Sequence, residues 1–418
     1  MTQNTDGQRG PTRRDYVKYG GAVLGGSLLA GCTGNSTTDA ESGNESTATE
    51  AQTSATETQT ETESDTTTSD ESAAFTASMS PVGEVALESA PETVFTRLTH
   101  HADMAFALGR GNSVNAMHAP DYYDALWNQF VERLPGVSLD WSGLYSSWEP
   151  TKEKLYELDS DVHLADPASV HQLGNWSMAD IEEVDENISP WFGNSLSARH
   201  QEPPEEWADR YEYYGLWEQF EKVAQAFGER ERFEALSSVR QSMLDEISGG
   251  LPAASERPTV VMVGASNIEQ DIYAYTLDNP GFLTAHTRPL GPRDAFDGSV
   301  ESGEIVDFET LLEADPDVML FLGGMQPGTS MPDTRSALKS HPVGSTLTAV
   351  QNDRLHPQGA RYQGPILNLF QIEMTAKQLY PEQFGAWPTY ESGPYPEIPE
   401  GERMFDRQRV ADVINGDL

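Results

Sequence analysis

The chain repeats itself. Residues 153–164 read EKLYELDSDVHL and residues 309–320 read ETLLEADPDVML, with Glu, Leu, Glu, Asp, Asp, Val and Leu shared at matching positions. Each copy runs from a helical pattern through an Asp-containing turn into a short apolar run that reads as a buried strand. The copies lie 156 positions apart (309 minus 153), about half of the part that reads as folded. Such an echo predicts two similar α/β lobes. The alternative is that two helix–turn–strand units converged on common residues.

The rest of the pattern agrees with two lobes. Val94–Leu98, Val137–Leu139, Val162–Ala165, Thr259–Val263 and Val318–Leu322 are short apolar runs that end at polar or small residues. Buried strands separated by helical patterns predict parallel sheets. Between the halves, residues 216–251 carry Trp217, Phe220, Val223, Phe227, Leu236, Val239, Met243 and Ile247 at helical spacing. This predicts a long helix joining the lobes, stopped by Gly249-Gly250; a helix pair broken at Gly228 is the alternative. The expected fold is therefore α/β: two similar lobes with parallel sheets, joined by a long helix, with a ligand cleft between them.

The charge narrows the partners. There are 26 Lys+Arg against 67 Asp+Glu, a net charge of −41. Such a surface repels nucleic acid and anionic lipid. The acids are spread along the chain, which reads as a halophilic solubility strategy more than as a cation-binding cluster.

The first residues depart from this balance. Arg13 and Arg14 precede the apolar run Gly20–Ala30, too short to span a bilayer, which needs about 20 residues. The stretch resembles a twin-arginine export signal. It ends in Leu29-Ala30-Gly31-Cys32, which resembles a lipobox with Cys32 as the lipidated residue. Cys32 is the only cysteine, so with Cys32 lipidated no disulfide or cysteine catalysis remains. Residues 33–74 hold Ser, Thr, Asp and Glu but no Lys, Arg or apolar residue larger than Ala, a composition that reads as a disordered tether. Asn35, Asn44, Asn175 and Asn187 sit in glycosylation sequons. The expected organisation is a signal peptide (1–31), tether (32–75), N-terminal lobe (76–214), interlobe helix (215–251), C-terminal lobe (252–385) and a C-terminal tail (386–418). The expected location is the extracellular face of the membrane, held by the lipid alone.

Catalytic motifs are missing. Gly323–Ser330 nearly spells a phosphate loop but lacks its lysine, and neither H-E-x-x-H nor G-x-S-x-G occurs. No catalytic set, metal ligand set or cofactor is expected. Open α/β sheets bind ligands at the carboxyl ends of their strands. That nominates His100, His101, Trp141, Tyr145, Trp148, Ser266, Asn267 and Met325, with Trp176, Trp191 and Phe192 as an aromatic wall.

The order of several segments resembles the solute-binding lipoproteins of ABC importers for iron–siderophore complexes, haem and cobalamin. The segments are APETVFTRLTHHADMAFALGRGNSV (90–114), KEKLYELDSDVHLAD (152–166), FETLLEADPDVMLFLG (308–323), HPVGSTLTAVQNDRLHP (341–357) and QGPILNLFQIEMTAKQLYPEQFG (363–385). Asp159-Ser160-Asp161 departs from the family's usual Pro-Asp turn, and residues 174–214 look like an insertion. The resemblance implies a monomer that is not an enzyme. It would carry a ferric-siderophore-type complex, or haem or cobalamin, to an ABC permease and its ATPase. It adds Arg288, Arg293, Arg361 and Tyr362 to the cleft. It also implies that Glu153 and Glu309 dock on arginines of the two permease subunits. A secreted hydrolase or an adhesion protein are the competing readings.

Overall fold

The computed structural model describes residues 75–264, 268 and 271–418. The export-like stretch, Cys32, Asn35, Asn44, the acidic tether up to Ala74, Ser266 and Asn267 lie outside the described residues. An antiparallel hairpin, β1 (Phe75–Met79) and β2 (Gly83–Leu87), comes first.

The N-terminal lobe is built on β3 (Val94–Thr96), β4 (Val114–Met117), β5 (Tyr145–Ser146) and β6 (Val162–Leu164), in the order β5-β4-β3-β6 and all parallel. Its helices include α1 (Thr99–Ala107), α2 (Pro120–Val131), α3 (Lys152–Leu158) and α4 (Met178–Asn187). Val137–Leu139, expected as a strand, is irregular; Pro135-Gly136 turns the chain there, and β4 supplies the strand instead.

In place of the single long helix expected over 216–251, two helices follow, α5 (Leu216–Ala226) and α6 (Arg230–Gly250). The break falls at Gly228, whose φ of +67° suits glycine and whose added Cβ would stand 2.3 Å from the Phe75 ring. The 21 residues of α6 span about 31 Å, enough to run between the lobes.

The C-terminal lobe contains β7 (Thr259–Gly264), β8 (Ile272–Tyr275), β9 (Arg293–Asp294), β10 (Ile305–Val306), α7 (Phe308–Ala314), β11 (Val318–Leu322), α8 (Met331–Ser340) and β12 (Leu355–Pro357). The sheet order is β10-β8-β7-β11-β12, with β9 also on β7. This sheet is mixed: β8 is antiparallel to both β7 and β10. Tyr273 and Tyr275 lie in a strand that no long apolar run announces.

The repeat is structural. Helices α3 and α7 have the same length, and each buries a single leucine, Leu155 or Leu311. Thr151 and Asp307 cap their amino ends through side-chain oxygens. Asp159 and Asp315 end them in the left-handed region, at φ 45° and 35°. The following strands β6 and β11 pair in parallel with β3 and β7.

Two late elements tie the lobes together. Every residue of α9 (Pro365–Leu379) is buried, and α9 packs against α1. The segment after Gly385 is no loose tail: Tyr395 is fully buried, its amide donates to the Gln129 carbonyl of α2, and the last helix, α10 (Arg407–Asn415), packs on α6.

Candidate functional site

The strands β3, β4 and β5 run parallel in one sheet, and β7, β11 and β12 run parallel in the other. Parallel strands put their carboxyl ends on one edge, so the loops that follow them line that edge. On the N-terminal lobe these loops bring Arg97, His118 and Trp148 together. Arg97 directly follows β3, where the strand stops two residues before the end of its apolar run. Its Nε donates to the Trp148 carbonyl (3.3 Å), its Nη1 donates to Ser169 Oγ (2.9 Å), and its guanidinium lies 5.2 Å from the Trp148 ring centre. The His118 ring lies 4.4 Å from Trp148 and 5.3 Å from Tyr123 of α2.

The C-terminal lobe answers with Arg361 and Tyr362, beyond β12, and Tyr275, at the end of β8. The Arg361 guanidinium sits 5.1 Å from the Tyr362 ring centre and hydrogen-bonds the Tyr275 side chain. Thr99 Oγ1 donates to the Tyr362 carbonyl at 2.7 Å, which joins the lobes beside this cluster.

The electrostatics follow from burial. Burial lowers the affinity of Arg97 for its proton, against the pull of Tyr362, Asp166 and Glu149. At Arg361 burial acts the same way, but Tyr362, Tyr275 and Tyr123 outweigh it, so its affinity for its proton is raised. His118 is pushed down to about 3, first by burial and then by the charges of Arg97 and Arg361. Its imidazole is therefore neutral at physiological pH. Two guanidiniums from opposite lobes, ringed by tyrosine, tryptophan and a neutral imidazole, can hold an anionic, oxygen-rich guest with planar groups.

The other nominated residues are distributed as follows. His100 and His101 are fully buried in α1, with ring centres 3.9 Å apart; His100 meets Phe282 (4.7 Å) and Tyr362 (6.3 Å) across the lobe junction. Burial lowers both imidazoles, His101 to about 3. Met325 is buried at the same junction, its carbonyl accepting from Gln129 Nε2 at 2.7 Å. Trp141 is N-lobe core, its indole donating to the Gly111 carbonyl. Tyr145 sits on the edge strand β5, with Lys154 Nζ 5.2 Å from its ring. Arg288 bonds the carbonyls of Asn279 and Gly281 and so braces a loop. Arg293 does not join the cleft: it pairs with Thr259 at the amino end of β7, half exposed, and donates to the Arg257 carbonyl.

The aromatic residues of 174–214 also fall elsewhere than expected. Trp176 and Trp191 fill the N-lobe core with Phe95 and Leu155, and Phe192 is fully buried beside them in sequence. The segment's order depends on Asp166, just after β6. Its carboxylate accepts from the amides of Ala168, Ser195 and Leu196 and from Tyr211 Oη (2.6 Å), while burial raises its pKa. The segment then meets the other lobe at Gly281, where an added Cβ would stand 1.9 Å from the Ala198 carbonyl oxygen.

The near-phosphate loop is spent internally. The amides of Gly323 and Met325 donate to the carbonyls of Gly359 and Gln358, so neither is free to cradle an anion. Among the described residues, no group of three or more His, Cys, Asp or Glu is placed to hold a metal. No helix among them is long and apolar enough to cross a membrane.

Arg97, His118, Tyr123 and Tyr275 were not nominated from the sequence. Arg97 was hidden inside the run Val94–Leu98, read as one strand. His118 follows a strand only four residues long.

Solved structures share this architecture. A periplasmic solute binding protein from Veillonella parvula superposes with a TM-score of 0.53 at 13% identity, over 75% of this chain and 89% of its own. The iron uptake ABC transporter substrate-binding protein PiuA from Streptococcus pneumoniae gives 0.50 at 17% identity, over 73% and 98%. The petrobactin-binding protein YclQ from Bacillus subtilis gives 0.50 at 13%, over 73% and 97%. No curated protein matches the chain as a relative. A family model described as periplasmic binding protein matches residues 146–357, just over half of the sequence, from β5 of the N-terminal lobe to β12 of the C-terminal lobe. With two α/β lobes facing each other across the ends of their strands, the chain belongs to the periplasmic binding protein family.

Proposed function

We propose that the protein captures an anionic ferric chelate of the siderophore type and delivers it to an ABC importer, without itself being an enzyme. The carrying observation is the pair Arg97 and Arg361, one from each lobe, at the strand ends where this fold takes ligands. In a chain of net charge −41, two guanidiniums gathered at one point favour an anionic guest over a cationic one. The similar fold of PiuA, an iron uptake protein, and of YclQ, a petrobactin-binding protein, supports the same class of cargo. In this reading iron arrives inside the cargo, and no resident cofactor is needed. Cys32 would carry the lipid that keeps the protein at the outer face of the membrane. Exposed Glu153 and Glu309, each in the first turn of its helix, would dock on the two permease subunits.

The test is a panel of catecholate and carboxylate ferric siderophores, haem and cobalamin, read by tryptophan fluorescence and melting temperature. A ferric siderophore is expected to quench Trp148 and raise the melting temperature. A response to haem or cobalamin alone would reassign the cargo within the same importer class. No response to any member would overturn the reading.

A further inference from the structure

Among the described residues only five large apolar side chains are exposed: Tyr156, Tyr213, Ile305, Leu312 and Leu418. Single exposures of this kind are ordinary. Two of these five, however, are the same position of the internal repeat: Tyr156 and Leu312 lie 156 residues apart and are 44% and 43% exposed. The match extends along both helices. From first residue to last, α3 and α7 have the same sequence of exposed, half-buried and buried positions. The exposed positions are Glu153, Tyr156 and Glu157 on α3, and Glu309, Leu312 and Glu313 on α7. Residues three and four apart lie on one helix face, so each lobe shows one apolar side chain flanked by two carboxylates.

We infer that Tyr156 and Leu312 are paired apolar anchors for a two-halved membrane partner, the permease of the proposed importer, whose halves each offer a basic side chain beside an apolar notch. The inference rests on the transport reading and adds the contacts that would hold the complex. Core packing does not need these side chains, because Leu155 and Leu311 already serve that purpose on the same helices. Both helices begin on the cleft side of their sheets: α3 follows β5, and α7 follows β10, which runs parallel to β7 through two antiparallel pairings. Each lobe therefore presents its copy from the corresponding edge of its own sheet. The carboxylates set orientation and encounter rate, while desolvated apolar contact slows departure. Tyr156 is already oriented, its hydroxyl donating to Glu183 Oε1 at 3.2 Å.

A photo-crosslinking amino acid placed at 156, 312, 153, 309 and 213, one at a time in the full chain, tests this in living cells. Adducts from both 156 and 312 to one polytopic membrane protein that copurifies with an ATPase, with none from 213, are expected. Tyr156→Ser with Leu312→Ser should weaken binding to that complex at least tenfold and leave melting temperature and ferric-chelate affinity unchanged. Adducts from 153 and 309 but not from 156 and 312 would overturn the anchors and leave the transport reading standing. Adducts from none of the four would sink both. Adducts joining two copies of this chain would overturn the anchors in favour of a dimer.

Discussion

Arg97 and Arg361 keep their charge where charge is expensive, and each is held by aromatic rings of its own lobe. A hydrogen bond to a charged group contributes about 1.5–3 kcal/mol, or roughly 10- to 150-fold in affinity. Arg97→Ala and Arg361→Ala are each expected to weaken binding of an anionic ferric chelate by about tenfold or more. Arg361→Lys keeps the charge but loses the planar fork, so it should recover only part of that loss. Arg293→Ala should change nothing, because Arg293 lies at the far end of β7. Fluorescence titration of the four variants decides; equal losses from Arg293→Ala and Arg361→Ala would contradict the cleft described here. The sequence made this site partly legible. Arg361 and Tyr362 were reachable because the family resemblance points to their segment. Trp148 was nominated beyond a strand expected at Val137–Leu139, but the strand that places it is the two-residue β5, too short to show a pattern. Arg97 was not, because Leu98 after it extends the run from Val94 and makes the strand end at Thr96 invisible. The tryptophans of 174–214 were misplaced because an aromatic residue suits a core and a cleft wall equally well, and only Asp166 and its partners decide which.

At the level of elements, the repeat was visible because it rests on a local pattern, whereas the break at Gly228 was only the alternative to the single long helix expected over 216–251, since the apolar spacing continues on both sides of it. The mixed edge of the C-terminal sheet was not visible, because β8, β9 and β10 are too short to show a period. The segment after Gly385 was read as a tail for a similar reason: Pro, Gly and polar residues give it no periodicity, and its order comes from distant partners. Arg407 pairs with Glu373 of α9, both almost wholly buried, and its guanidinium stacks 3.6 Å from the Phe405 ring centre. Tyr395 Oη and the Met404 amide also donate to that carboxylate. Removing one partner of a buried pair costs about 3–5 kcal/mol, since the other charge stays buried alone. Arg407→Leu is therefore expected to lower stability by about that amount in urea titration, and Arg407→Leu with Glu373→Gln by clearly less. An unchanged midpoint for Arg407→Leu would show that the segment is not anchored this way. Truncation after Gly385 should be worse still, because it strips apolar cover from α6 and α9.

The whole molecule answers to salt and to pH for different reasons. A net charge of −41 repels itself across about 30 Å at 0.01 M ionic strength but only about 3 Å at 1 M. The melting temperature is expected to fall as salt is diluted, and a flat response would argue against a halophilic protein. The pH response, measured at high salt where that repulsion is screened, comes from the interior. His100, His101, His118, His163 and His286 are all buried. Burial is the largest cause lowering each of them: to about 3 for His101, His118 and His286, to about 4 for His163, and well below the ordinary value for His100. In the unfolded chain each takes up a proton near pH 6.5. The stability they contribute is thus complete above pH 6.5 and drains as the pH falls toward 3, because the unfolded state then binds more protons. Each imidazole contributes up to about 1.4 kcal/mol per pH unit in that window. Asp103 works in the opposite direction. It is buried, with one oxygen accepting from the Leu367 amide at the start of α9, and burial raises it to about 7. The stability it contributes is present at acid pH and is lost as the pH rises through 7. Buried Asp166, also raised by burial, acts in the same sense. Five imidazoles outweigh two carboxyls, so the sum favours neutral pH. The melting temperature in 3 M salt should hold between about pH 7 and 6.5 and then fall steeply toward pH 5. Asp103→Asn should leave that acid limb in place and raise stability above pH 7. A melting temperature constant from pH 7 to 4.5 would mean that these histidines are not held neutral in the interior.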